Sequence, residues 1–331
     1  MPPNASGKLA PAELTERIAR ATQAEKVELG GRLQSLWGGY GELWRAQLLR
    51  GSQETSVVVK VVRPPRDDTS VSHRRKLRSY DVERAFYARF AERCAEPPVC
   101  SVPRPLALEQ RDGGWLFVLE DLDASGFGQR RAHAQAPEIA ATLRWLARFH
   151  ARFLGTPPEG LWKVGTYWQL STRPDELARL RHRPLKATAS RIDAHLNAAR
   201  FKTLVHGDAK LENVCFAPDR DEVALVDFQY AGGGAGVKDV AYLLSGVVAP
   251  RACSTLVPSY LDDYFRELRE ALATLAPQAD AAAVEREWRE LFPLAWVDFY
   301  RFLLGWAPGQ FDDDPYSEPL TREVLAQLKS A

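Results

Sequence analysis

The chain has almost no charge imbalance: 44 Lys and Arg stand against 43 Asp and Glu in 331 residues, a formal net charge of +1. No global field therefore recruits nucleic acid or an anionic membrane. Cysteine is scarce as well. The four present (Cys94, Cys100, Cys215 and Cys253) form no CxxC pair and no Cys/His ligand spacing, which argues for reduced thiols and against a structural zinc. Long apolar runs are missing: the longest, such as VAYLLSGVVA at 240–249, are too short to span a bilayer. The opening MPPNASGKLAPAEL has neither the apolar centre of a secretory signal nor the acid-poor, Arg/Ser-rich texture of a transit peptide, so a cytoplasmic location is expected. GxSxG and HExxH are both absent, which leaves hydrolase and metalloprotease readings without support. No internal repeat is visible.

What remains is ordinary globular composition, 45% hydrophobic and 26% charged, on a chain long enough for one large or two medium domains. Residues 11–29 read as a helix packed on the outside of a larger body. From Leu36 the texture becomes extended, with Gly38, Gly39 and Gly41 at a tight turn between two strands. TSVVVKVV at 55–62 reads as a buried strand with Lys60 near its end, and PPRDD breaks it. The following SYDVERAFYARFAERC is helical, with Val82, Phe86 and Phe90 on one face and Glu83 beside them. The basic run HRRKLR at 73–78 reads as a solvated helix face or a helix start. WLFVLEDL at 115–122 is a further strand, ending at Glu120–Leu122.

Beyond residue 130 the pattern is mainly helical, with helices expected near 137–155, 173–199, 255–275 and 281–306. Inside that half sits a small island of strands carrying LVHGDAKLENVCF (204–216) and VALVDFQYAGGG (223–234). Asp208 and Asn213 are poor strand formers, so chemistry rather than propensity accounts for them there. The glycine run 231–236 fits neither a dinucleotide loop, which would require Gly at Val237, nor a P-loop, which requires Ser or Thr after Lys. It reads as a short flexible link. The expected division is an N-terminal helical extension (1–29), a β-rich lobe (30–122) and a helical lobe (123–331).

In order, the chain supplies a glycine-rich hairpin, a strand Lys, a helix Glu, an extended link, HGDxxxxN and DFQ. Phosphoryl transfer from ATP needs these parts: a flexible cover over the phosphates, a fixed cation, hard oxygen ligands for magnesium, and a carboxylate beside the attacking hydroxyl.

The motifs SYDVERAFY, LEDL, HGDAKLEN and VDFQY resemble the aminoglycoside phosphotransferase and choline kinase superfamily, and most of all its ecdysteroid-kinase-like branch. The resemblance runs over about residues 30–310, and the HGD form differs from the HRD of protein kinases. It implies a protein-kinase-like α+β fold with a small β-rich N-lobe and a larger, mainly helical C-lobe. It implies Asp208 as the catalytic carboxylate, Lys210 as a transition-state cation, and Asn213 and Asp227 as ligands of Mg2+. Lys60 would contact the ATP phosphates, held by Glu83, with Gly39 and Gly41 in the covering hairpin and the backbone of Glu120 and Leu122 at the adenine. His206 and Asp239 would support the loop, and His150 reads as a packed, satisfied histidine.

The resemblance implies an ATP-dependent kinase that phosphorylates a hydroxyl of an alcohol, amino-alcohol, sugar or natural product, with antibiotic inactivation as a special case. An ATP-binding pseudokinase that regulates a partner is the alternative. A protein kinase is disfavoured because only a dozen residues separate Asp227 from Asp239, and no APE element lies between them. For the acceptor, Trp162, Trp168, Trp296 and Trp306 could face a cationic amine, with Asp298 or Asp312–Asp314 as the counter-charge. Core packing is the competing expectation for most of these aromatics. No nucleic-acid or membrane partner is expected.

Overall fold

The computed structural model describes residues 10–65, 68–97, 99–219 and 221–330. The first nine residues of the expected extension, and residues 66–67 of the PPRDD break, lie outside the described residues.

Helix α1 (Pro11–Thr22) ends well before residue 29. Five strands follow: β1 (Lys26–Ser35), β2 (Gly41–Arg50), β3 (Gln53–Val62), β4 (Pro105–Arg111) and β5 (Gly114–Glu120), with helix α2 (Val71–Arg89) between β3 and β4. They make one antiparallel sheet in the order β1-β2-β3-β5-β4. The N-lobe sheet thus begins at Lys26, four residues inside the expected extension. Leu14 and Ile18, one helical turn apart, pack with Val57, Val59, Leu116 and Val118 on the outer face of this sheet. Side chains alternate along β3, so Val57, Val59 and Val61 turn outward while Lys60 and Val62 point to the α2 side. In the sheet Lys60 lies opposite Leu43 on β2 and Phe117 on β5.

The C-lobe is built from α3 (Ala136–Arg152), α4 (Pro174–Arg179), α5 (Arg183–Asn197), the short strands β6 (Thr203–Val205), β7 (Val214–Phe216), β8 (Val223–Leu225) and β9 (Gly232–Gly234), then α6 (Val237–Val247), α7 (Cys253–Leu275), α8 (Ala281–Trp306) and α9 (Ser317–Ser330). Proline at the start of α3, α4 and α5 sets φ where no helical N–H bond is needed. Phe86 of α2 stacks on Phe228, ring centroids 3.7 Å apart, and Trp145 and Phe149 of α3 extend this aromatic seam through both lobes. Among the described residues, no single helix is long and apolar enough to cross a membrane.

The glycine run is not a flexible link. Gly232–Gly234 forms β9, paired with β6, and a Cβ on Gly232 would lie 2.4 Å from the Trp162 carbonyl oxygen. Glycine serves here for the close approach of two backbones. The basic run opens α2, in line with the helix-start reading, but as a face it is only partly solvated. His73 is buried, and Arg78 donates to the carbonyls of Gly160 and Leu161 in the C-lobe.

Candidate active site

The N-lobe contribution is a buried ion pair. Lys60 Nζ lies 2.9 and 2.7 Å from the two Glu83 oxygens and 3.4 Å from Asp227 Oδ1. Burial opposes the Lys60 charge, but Asp227 and Glu83 together outweigh it and raise the pKa, so the side chain is a fixed cation. The hairpin joins β2, which pairs with the Lys60 strand, at Gly41 opposite Val62. A Cβ on Gly41 would sit 1.9 Å from the Val61 carbonyl oxygen, whereas Gly39 adopts φ 73° with open space around it, as a backbone cover over phosphates requires.

The C-lobe contribution is the loop between β6 and β7. Gly207 adopts φ 78°, and a Cβ there would meet the Tyr230 carbonyl oxygen at 2.1 Å. Asp239, in the first turn of α6, accepts from the His206 N–H (2.6 Å), the Gly207 N–H (2.9 Å) and His150 Nε2 (3.1 Å). Burial works against its charge, but these partners hold its pKa below the usual range. The other His150 nitrogen meets the Tyr264 hydroxyl at 2.8 Å, and the ring is fully buried. His206 bonds the Val226 carbonyl through Nε2 and accepts the Asp208 N–H at Nδ1; burial lowers its pKa, so it is a neutral brace.

That scaffold presents Asp208. Its Oδ2 accepts from Asn213 Nδ2 (3.0 Å) and lies 3.5 Å from Lys210 Nζ, while Oδ1 accepts from the Tyr242 hydroxyl (3.2 Å). Burial pushes Asp208 up to about 7 against the pull of Lys210, and the charge of Asp227 adds to the rise. Asp227 itself takes φ 69°, a strained backbone for a non-glycine residue, and its side chain is about one-third open to the cleft. Both Asn213 amide hydrogens go to Asp208, to its carbonyl (2.8 Å) and its carboxylate, which leaves the Asn213 Oδ1 without a hydrogen-bond donor among the described residues. That oxygen and the Asp227 carboxylate are the hard-oxygen donors that would hold a Mg2+ ion and, through it, neutralise phosphate charge. Among the described residues no three His, Cys, Asp or Glu side chains cluster as a preformed metal site.

With this geometry in place, a sequence profile of the phosphotransferase enzyme family matches residues 36–278. The chain belongs to that family. No curated protein sequence matches it. Among solved structures it is similar to an ethanolamine kinase from Plasmodium vivax, with a TM-score of 0.51, 10% identity, and 91% of this chain and 82% of that one covered. It is also similar to an aminoglycoside phosphotransferase from Streptomyces rimosus solved with ADP and streptomycin (TM-score 0.45, 18% identity, coverage 80% and 92%) and to a choline kinase from Cryptosporidium parvum (TM-score 0.42, 12% identity, coverage 92% and 89%).

The remaining expected positions in this phosphotransferase separate into two groups. Glu120 and Leu122 flank the link between lobes, where the Leu122 carbonyl accepts from the Phe127 N–H. The residue between them, Asp121, is the anchor: it is buried and takes hydrogen bonds from Arg45 Nε (2.8 Å) and Ser56 Oγ (2.6 Å), tying the link to β2 and β3. The acceptor candidates fare differently. Trp296 is core, its indole N–H bonded to Ser317, so it faces no ligand. Asp298 is buried between Arg301 Nε (3.0 Å) and the Trp168 indole N–H (3.1 Å), and its charge is neutralised there. Trp306 is 54% exposed at the end of α8 and stacked on Phe302, which in turn meets Tyr167. Trp168 is fully buried, and Trp162 donates to the Gln229 carbonyl.

Two residues at the catalytic loop have no motif to announce them. Tyr242 meets the Asp208 carboxylate directly, and Thr166, against Gly207, sits at φ 108°, an outlier for a β-branched residue, with its buried hydroxyl unpartnered among the described residues. The only sequence trace of Tyr242 is its position three residues after Asp239, on the next turn of α6. Tyr242→Phe keeps the packing against Trp168 and Phe299 but removes the donor to Asp208. The expected result is a fall in kcat of about tenfold, with KM for ATP unchanged. An unchanged kcat would show that the contact does not position the carboxylate.

Proposed function

We propose that this protein is an ATP-dependent small-molecule kinase that transfers the γ-phosphoryl group to a hydroxyl. The observation that carries the reading is the convergence, from separate elements, of Lys60–Glu83, Asp227, Asn213 and Asp208 on one cleft. Family membership supports the reaction class. The ecdysteroid-kinase-like branch and a cytoplasmic, magnesium-dependent activity belong to the same proposal.

In this reading the hairpin around Gly39 and Gly41 covers the triphosphate and Lys60 neutralises its non-transferred part. Bound Mg2+ would neutralise phosphate charge, held by Asp227 and Asn213 Oδ1. Asp208 orients the acceptor hydroxyl and receives its proton. The acceptor oxygen forms the new bond to the γ-phosphorus, the bond to the bridging oxygen breaks, and that electron pair leaves on ADP. A carboxylate that burial holds near neutrality can release this proton again after transfer. Lys210, half-exposed beside Asp208, reaches toward the charge of the transferring group.

Asp227→Asn tests the nucleotide half of the reading. Affinity for ATP with magnesium should fall by about thirtyfold or more, while affinity in the presence of a chelator changes little. Titration calorimetry in both conditions checks this; an unchanged magnesium dependence would remove Asp227 from the metal site.

A further inference from the structure

The acceptor side of Asp208 is lined by tyrosines and then by arginines. Tyr242, which bonds Asp208, lies edge-on to Tyr167 (centroids 5.5 Å), and Tyr167 meets Tyr230 at 5.8 Å. Arg173 is buried behind them, its Nε bonded to the Tyr167 carbonyl (2.6 Å) and its guanidinium 5.5 Å from the Tyr167 ring. Arg75, from the basic run on α2, crosses from the N-lobe and donates to the carbonyl of Thr172 (3.0 Å), the residue before Arg173. Burial raises the pKa of the Tyr230 hydroxyl, both guanidiniums oppose that rise, and the more weakly acting Asp208 and Asp227 carboxylates add to it.

The anions that could balance this charge are few. Glu176 lies 3.4 Å from Arg173 Nη1. Asp298 is consumed by Arg301. Arg75 has only the Thr172 carbonyl and the Ser72 hydroxyl as hydrogen-bond partners, and its Nε is buried with none among the described residues. A buried guanidinium nitrogen without an acceptor is unfavourable, and the half-exposed remainder of the Arg75 fork is where a ligand oxygen could offset that cost. An ammonium group on the acceptor would be repelled here, whereas a planar or tetrahedral oxyanion matches the arginine fork.

We propose that the phosphoryl acceptor is an acid: a hydroxyl compound bearing a carboxylate or phosphate, whose anionic group is held by Arg75 beside Arg173 while its hydroxyl lies at Asp208. The inference rests on the kinase reading and narrows its substrate class. It replaces the cationic amine expected from the tryptophans and Asp298.

The test takes a small-molecule extract of the source cells, separates it on anion and cation exchangers, and supplies each fraction with the protein, magnesium and γ-18O-labelled ATP. Labelled phosphoryl acceptors should appear in the anion-exchanger fraction, and mass spectrometry of the product distinguishes carboxylate from phosphate. With the acceptor so identified, Arg75→Gln should raise its KM about thirtyfold with kcat changed less than about threefold, and Arg75→Lys should recover part of the loss. Acceptors confined to the cation-exchanger or unretained fractions would overturn the inference and leave the kinase reading standing. A rise in KM for ATP instead of the acceptor would assign Arg75 to the nucleotide and also overturn it. No labelled acceptor in any fraction would remove the kinase reading, and the inference with it.

Discussion

Asp208→Ala is expected to lower kcat by about a thousandfold while ATP binds within about threefold of the unmodified affinity. The asymmetry follows from where the carboxylate sits. Its oxygens meet Asn213, Lys210 and Tyr242, whereas the nucleotide cation Lys60 is held by Glu83 and Asp227. Removing Asp208 takes away the group that orients the hydroxyl and accepts its proton, and leaves the phosphate-binding groups in place. Asn213 loses the Asp208 carboxylate but keeps the Asp208 carbonyl as an acceptor for its amide, so its Oδ1 stays oriented. Single-turnover transfer together with equilibrium ATP binding checks both halves. Retained turnover would end the catalytic role of Asp208, and a parallel loss of ATP affinity would make it a nucleotide ligand.

Asp239→Ala is expected to destabilise the fold by about 3–5 kcal/mol, because a fully buried carboxylate with three donors is lost. The N–H groups of His206 and Gly207 would be left buried without an acceptor, and His150 would lose one of its two partners. The catalytic loop hangs from these two N–H groups, so turnover should fall as well, although Asp239 touches no reacting atom. Urea titration of Asp239→Ala and Asp239→Asn separates the effects. The Asn variant, which keeps one acceptor, should lie between the other two. Wild-type stability in the Ala variant would contradict the scaffold role.

The parts set by residue type and short spacing were legible in the sequence. A Lys in a β-branched strand requires a partner, and HGDxxxxN followed by DFQ confines a carboxylate, an amide and a second carboxylate to neighbouring turns. What the sequence did not disclose depends on contacts between distant segments. Glycine reads as flexibility in isolation, but Gly232 is fixed by Trp162, seventy residues earlier in the chain, whose backbone it must approach. Arg75 and Arg78 look solvated because they reach backbone carbonyls at 160–172, which carry no sequence signature. Asp298 reads as an available counter-charge until Arg301, one helical turn on, is seen to neutralise it in the core. Tyr242 and Thr166 are invisible for the same reason: a hydroxyl on a carboxylate and a strained φ are properties of the assembled site.

Incubating the purified protein with magnesium, ATP and a pooled set of hydroxy acids, amino-alcohols, aminoglycosides, nucleosides, sugars and sterols, with Asp208→Ala in parallel, tests the central claim most directly. Mass spectrometry should find a compound that gains one phosphoryl group with stoichiometric ADP, in the wild-type reaction alone. ATP bound with full affinity but never transferred, or transferred equally by the Asp208→Ala protein, would contradict it.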